Sequence, residues 1–156
     1  MNAIIISEAN LKQSLSFDLR DILSECESYN ERNWVAWKVD CFGSTWFKVF
    51  SEAPNQQVQM SYNELCDYAT NVGQTIWGLF FVLKKDIAKA PILNEEVDLK
   101  QISDLIIAAH DATFFEVITD DKYILNRLEG KFEHTSFATF SAEKKLVYKN
   151  ESFQAV

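Results

Sequence analysis

The sequence predicts an α+β domain, a mostly antiparallel sheet of about five or six strands with packed helices. Three observations carry that prediction. The run Thr75-Ile76-Trp77-Gly78-Leu79-Phe80-Phe81-Val82-Leu83 holds no charge and is apolar on both parities. Thr75, Trp77, Leu79, Phe81 and Leu83 alternate with Ile76, Gly78, Phe80 and Val82, as in an interior strand covered on both faces. Aromatic segments of strand period recur on both sides of that run, and capped amphipathic helices are interleaved with them.

In chain order, Ala3–Ser7 reads as a short strand through its Ile run. Leu11, Leu15, Leu19, Ile22, Cys26 and Tyr29 then recur at helical spacing, with a break near Leu15–Phe17 where Ser16 restarts the helix. Trp34–Asp40 and Thr45–Ser51 both alternate and predict a hairpin about Cys41-Phe42-Gly43-Ser44, Gly43 supplying the positive φ. In its first strand Val35, Trp37 and Val39 share one face, and Trp34, Ala36, Lys38 and Asp40 the other. Residues 53–57 read as a loop.

Ser61-Tyr62-Asn63-Glu64 is a capping box opening a helix with Leu65, Cys66, Ala69 and Val72 on its apolar face, and Gly73 ends it. Lys84–Asp98, with Pro91 and the charges Glu95, Glu96 and Asp98, reads as the longest loop. Leu99–Ala109 fits a helix, and its second half also fits a buried strand. A helical start followed by a hairpin, turning at His110-Asp111 into Thr113–Thr119, reconciles the two. Asp120-Asp121 open a short helix with the face Ile124, Leu125 and Leu128, closed by Gly130. Phe132–Phe140 and Leu146–Tyr148 add edge strands. No repeat or low-complexity tract divides residues 1–156, which read as one domain.

Charge bounds the function. The chain carries 23 acidic and 15 basic residues, a net −8. That balance disfavours nucleic acid and anionic membrane as partners, because both are recognised by neutralising phosphates with Lys and Arg. It suits a basic protein partner. The central run is too short for a bilayer, and no basic leader with an apolar core opens the chain. Cys26, Cys41 and Cys66 are odd in number and form no CxxC pair, so they read as small buried hydrophobes in a reducing, cytoplasmic setting.

Catalytic signals are thin. The histidines are His110 and His134, and no HExxH, GxSxG, GxxxxGK[ST] or GxGxxG occurs. No catalytic residue, metal or cofactor is assigned, and an enzyme is the less favoured reading. A small-ligand site or enzyme would use an aromatic cavity lined by Trp37, Trp77 and Phe81 with His110 as its polar group. A structural subunit of a homo-oligomer would use an exposed aromatic edge. The favoured feature is acidic. Asp18, Asp21 and Glu25 fall three and four apart, with Glu27 beside them, as in a helix that plugs a cationic groove.

Asp111-Ala112-Thr113-Phe114-Phe115-Glu116-Val117-Ile118-Thr119-Asp120-Asp121, continuing through Ile124-Leu125 to Phe132, resembles the closing segment of small bacterial immunity-type proteins. There a strand leads into an Asp-capped helix. Gln74–Phe80 is similar to their central strand. The resemblance implies an α+β protein that binds and neutralises a toxin in the bacterial cytoplasm, without catalysis of its own.

Overall fold

The computed structural model describes residues 1–10 and 15–156. Its strands are β1 (Asn2–Ser7), β2 (Asn33–Phe42), β3 (Gln57–Ser61), β4 (Gln74–Leu83), β5 (Ser103–His110), β6 (Phe114–Thr119), β7 (Thr135–Thr139), β8 (Leu146–Lys149) and β9 (Ser152–Ala155). Its helices are α1 (Leu19–Leu23), α2 (Trp46–Glu52), α3 (Tyr62–Asn71), α4 (Leu99–Ile102) and α5 (Lys122–Lys131). Seven strands form one antiparallel sheet in the order β3-β2-β4-β5-β6-β1-β7, and β8 pairs with β9 alone. The fold is α+β as predicted, with more strands than the five or six expected.

Strand β4 is central and buried on both sides, which is why its sequence is apolar at both parities. Phe80 and Val82 pack under the helices with Leu19, Ile22, Phe50, Leu65, Tyr68 and Leu128. Leu79, Phe81 and Leu83 face the opposite layer, closed by Leu93, Leu99, Leu146 and Tyr148. The second layer therefore consists of loop, a single helical turn and the β8–β9 hairpin.

Two local irregularities re-aim the end of this sheet. Lys38 takes φ +53, and the β2–β4 register steps from Trp37↔Leu79 to Asp40↔Trp77 and then to Cys41↔Thr75. A bulge of this kind reverses the side-chain alternation beyond it. Val39 accordingly joins Cys41 in the helix-side core rather than sharing a face with Val35 and Trp37. Thr75 likewise turns to the helices, its hydroxyl 2.5 Å from Tyr68 Oη, while Leu79 faces away. Gly78 has φ +153, and a Cβ there would lie 3.0 Å from Val39 Cγ2 and 3.1 Å from Val39 Cα. Glycine is what lets the bulged strand approach so closely.

Several expectations change. Residues 45–51 are not the second arm of a hairpin, because α2 occupies them and β2 pairs instead with β3 and β4. Gly43 does take φ +75, but the turn leads into a helix that buries Phe50 against Tyr68 and Trp46. The expected 53–57 loop contains a 3-10 turn, Pro54–Gln56, and Gln57 already starts β3. The long first helix is shorter: α1 starts after Asp18 and continues as a 3-10 segment, Ser24–Tyr29, while Leu11 lies outside the described residues. Leu146–Tyr148 belongs to the separate hairpin rather than to a sheet edge. Helix α5 runs one residue past Gly130. Cys26 and Cys41 are buried free thiols as expected, whereas Cys66 is partly exposed.

The Ser61 capping box, the α4–β5 succession, the β5–β6 hairpin and the Asp121 cap of α5 all form where the sequence places them. Among the described residues, no helix is long and apolar enough to cross a membrane.

Candidate functional site

The four acidic residues singled out in the sequence are not one free surface. Asp18 accepts from the Arg20 backbone N–H at 2.9 Å, and Asp21 accepts from the Asp18 N–H at 2.9 Å, so both are occupied in capping α1. Glu25 lies between Arg127 Nε at 2.5 Å and Lys131 Nζ at 3.1 Å. Glu27 is exposed. Burial pushes the Glu25 pKa up, but the hydrogen bonds and charges of Arg127 and Lys131 outweigh it and hold the carboxyl below its ordinary range.

The aromatic residues divide differently. Trp37 and Phe81 are enclosed in the second core with Leu79, Ile106 and Tyr148. Trp77 is half-buried and meets the edge of the His110 ring at 6.1 Å. His110 also stacks on Phe114 at 4.4 Å and meets Phe153 of β9 at 6.3 Å. The β5–β6 register sets His110 opposite Phe114 and Ala108 opposite Glu116, making His110 and Glu116 diagonal neighbours on one face. Nε2 of His110 lies 3.2 Å from Glu116 Oε2, with 7% and 11% of the two side chains exposed. This contact lies within the packed layer beneath the C-terminal hairpin, not at the mouth of a chamber around Trp37 and Phe81.

Beside Trp77 the structure opens a cleft of about 600 Å³ that sequence reasoning missed. Asp40, directly across the ladder from Trp77, forms one wall. Glu95 reaches it from the long loop, and Tyr148 and Glu151 from the β8–β9 hairpin. Lys38, Gln56, Asn150 and Glu151 all line it with positive φ values of 50–58°, a conformation that costs non-glycine residues free energy and clusters at functional sites. Asp40, Glu95 and Glu151 are exposed at the rim.

The cleft already holds one cation. Lys38 Nζ sits 4.7 Å from the centroid of the Trp37 ring and 3.9 Å from Glu95 Oε1. An indole face and a carboxylate thus share an ammonium, the geometry in which cation–π attraction and Coulomb attraction add. Trp77 and Asp40 repeat that pairing of groups. Burial, then the charges of Glu151 and Glu116, push the Tyr148 phenol up to about 12, so it stays a neutral donor. Three carboxylates against one ammonium leave the cleft acidic. No sequence signal joins Asp40, Glu95 and Glu151, because three separate segments bring them together.

A second polar notch, at the other end of β5, is internally matched: Arg32 pairs with Asp104, Tyr29 donates to Asp121, and the Met1 amino group pairs with Asp120. Among the described residues, no group of three or more His, Cys, Asp or Glu side chains is placed to hold a metal ion. Fold and cleft together define an acidic α+β protein whose concave, charged feature lies at the bulged end of its sheet. No family model matches the chain, and no curated protein or solved structure matches it either.

Proposed function

We propose that this chain is a protein-binding domain that neutralises a basic partner, in the manner of an immunity-type protein blocking a toxin, with the Asp40–Trp77–Glu151 cleft as the point of contact. The single observation that carries the reading is the cleft itself. It combines rim carboxylates with an aromatic floor and already holds Lys38 in the way it would hold an arginine or lysine of the partner. The net charge of −8 supports it by steering a basic protein toward this surface. The segments that resemble immunity-type proteins form β4, β6 and α5, and β4 gives the cleft its Trp77 wall. The free thiols accord with a cytoplasmic bacterial setting.

The test uses an oligo-arginine peptide titrated into the protein at low and high salt, read by tryptophan fluorescence and calorimetry, with an oligo-glutamate peptide as control. Binding is expected to weaken steeply with salt and to fall at least about tenfold, roughly 1.4 kcal/mol, in an Asp40→Asn/Glu151→Gln double variant. Equal affinity of the variant and the parent overturns the cleft. Co-expression with the protein encoded beside it in its own genome tests the blocking step. Relief of growth arrest is expected from the parent and not from the double variant, and arrest unrelieved by the parent overturns the toxin-neutralising reading.

A further inference from the structure

The two ends of the sheet are finished in different ways. At the β3 end, the loop after β4 is laced to the strand. Gln59 donates to Ala88 O at 2.7 Å and accepts from Ala90 N at 3.0 Å, and Gln57 donates to Pro91 O at 2.8 Å and accepts from Leu93 N at 3.0 Å. At the β7 end nothing comparable is present among the described residues. Residues 136–139 are exposed, and Phe137 presents 53% of its surface to solvent. Thr135-Ser136-Phe137-Ala138-Thr139 has no charge, proline, glycine or bulge, the devices that ordinarily blunt an edge.

Which backbone groups of β7 are free follows from its ladder with β1. Phe140 donates to Met1 O at 2.9 Å and Met1 N lies 3.5 Å from Phe140 O, while Ser7 donates to His134 O at 3.1 Å. The register between these points is unbroken, from Asn2↔Thr139 to Ile6↔Thr135. Hydrogen-bonded pairs alternate along an antiparallel ladder, so residues 134, 136, 138 and 140 turn their N–H and C=O groups toward β1. Thr135, Phe137 and Thr139 turn theirs outward. Three donors and three acceptors therefore stand in a row centred on Phe137.

We propose that β7 is the interaction surface for a second copy of this chain, which adds its own β7 antiparallel about a two-fold axis through Phe137, joining two seven-stranded sheets into one. The register fits itself. Phe137 of one copy exchanges both hydrogen bonds with Phe137 of the other, and Thr135 does so with Thr139, so every outward group is matched on both copies. The cross-strand neighbours are then Phe with Phe, Thr with Thr and Ser with Ala, combinations that suit an antiparallel pair. Residues 135–142 carry no charge, so a chain of net −8 meets its like here without facing carboxylates. A foreign strand would find no charged group on β7 to select it. The five-residue edge buries less than the roughly 800 Å² per partner of a standard interface, so the equilibrium moves with concentration.

Sedimentation equilibrium from micromolar to millimolar protein tests this, with two variants. Thr139→Pro removes an outward N–H and leaves the β1 ladder intact, and Phe137→Lys sets two like charges face to face on the axis. Dimer is expected for the parent at high concentration and monomer for both variants, with unfolding midpoints near the parent's. Ser136→Pro, on the inward parity, lowers the midpoint instead. Should a variant fail to fold, amide exchange on the parent decides: Thr135, Phe137 and Thr139 are expected to gain protection of at least about tenfold as concentration rises. A parent that is monomeric throughout, a dimer that both folded variants retain, or protection indifferent to concentration overturns the proposal. The cleft lies four to five strands away along the sheet, and its peptide test is independent of this one.

Discussion

Glu25 presents two oxygens to two cations, Arg127 Nε at 2.5 Å and Lys131 Nζ at 3.1 Å, with 11% of its side chain exposed. Its folded pKa lies below the ordinary carboxylate value, which fixes the sign of its pH dependence. The ionised carboxylate stabilises the fold fully above the unfolded pKa, and that contribution is lost as pH falls through the lowered folded value. Glu25→Gln is therefore expected to cost about 1 kcal/mol at neutral pH, a figure reduced for the half-exposed Arg127 and its solvent screening. The gap between variant and parent closes as pH falls through that lowered value. Urea denaturation across a pH series reads this directly, and a gap of the same size in acid removes the ionic account. The same residues show where local reading stops. Asp121, Ser61 and Glu64 were legible as caps because a cap is made within four residues of chain. Glu25 was legible as acidic but not as paired, since Arg127 lies 102 positions away.

Helix α2 illustrates the limit at the scale of an element. Trp46, Phe47, Lys48, Val49 and Phe50 alternate well enough for a strand, and Trp46 and Phe50 are equally a helical i, i+4 pair. Tertiary packing decides. As a helix the segment buries Phe50 edge-on against Tyr68 at 5.0 Å and lets the Trp46 indole donate to Asp67 at 3.1 Å, leaving Phe47 and Val49 exposed. Phe50→Ala is accordingly expected to cost about 3–5 kcal/mol and Phe47→Ala no more than about 0.5. Guanidinium melts of the two variants check this contrast, and comparable losses would contradict the helix. Strand β3 escaped notice for a related reason. Val58 and Met60 do alternate with Gln57 and Gln59, but five residues following Pro54 make a signal no stronger than that of a loop. The β4 run, the α3 box and the β5–β6 hairpin were legible because period, length and punctuation agree there.

At the scale of the whole molecule, the two faces of the sheet are covered by unlike means, and the difference locates the cleft. Four helices seal one core, while the other lies beneath the loop after β4, α4 and the β8–β9 hairpin. Two of the rim carboxylates, Glu95 and Glu151, belong to that second cover. What ties its parts together is Asp98. One of its oxygens accepts from the Lys100 N–H at 3.2 Å, capping α4, and from the Leu146 N–H at 2.9 Å, docking β8. The Lys100 ammonium then holds the carbonyls of Ser141, Ala142 and Lys144. Leu146 is 48 positions from Asp98, so neither the cover nor the cleft it completes could be read from spacing. If the cover hangs on this carboxylate, Asp98→Ala loosens it by about 1–2 kcal/mol without disturbing the central strands. Amide exchange in β8, β9 and residues 88–97 is then expected to quicken at least about tenfold, with β4 and β5 unchanged. Oligo-arginine affinity should fall in parallel, although no cleft side chain is altered. Uniform quickening across the sheet would mean that the cover is part of one cooperative unit, and an unchanged affinity would mean that the cleft does not depend on it.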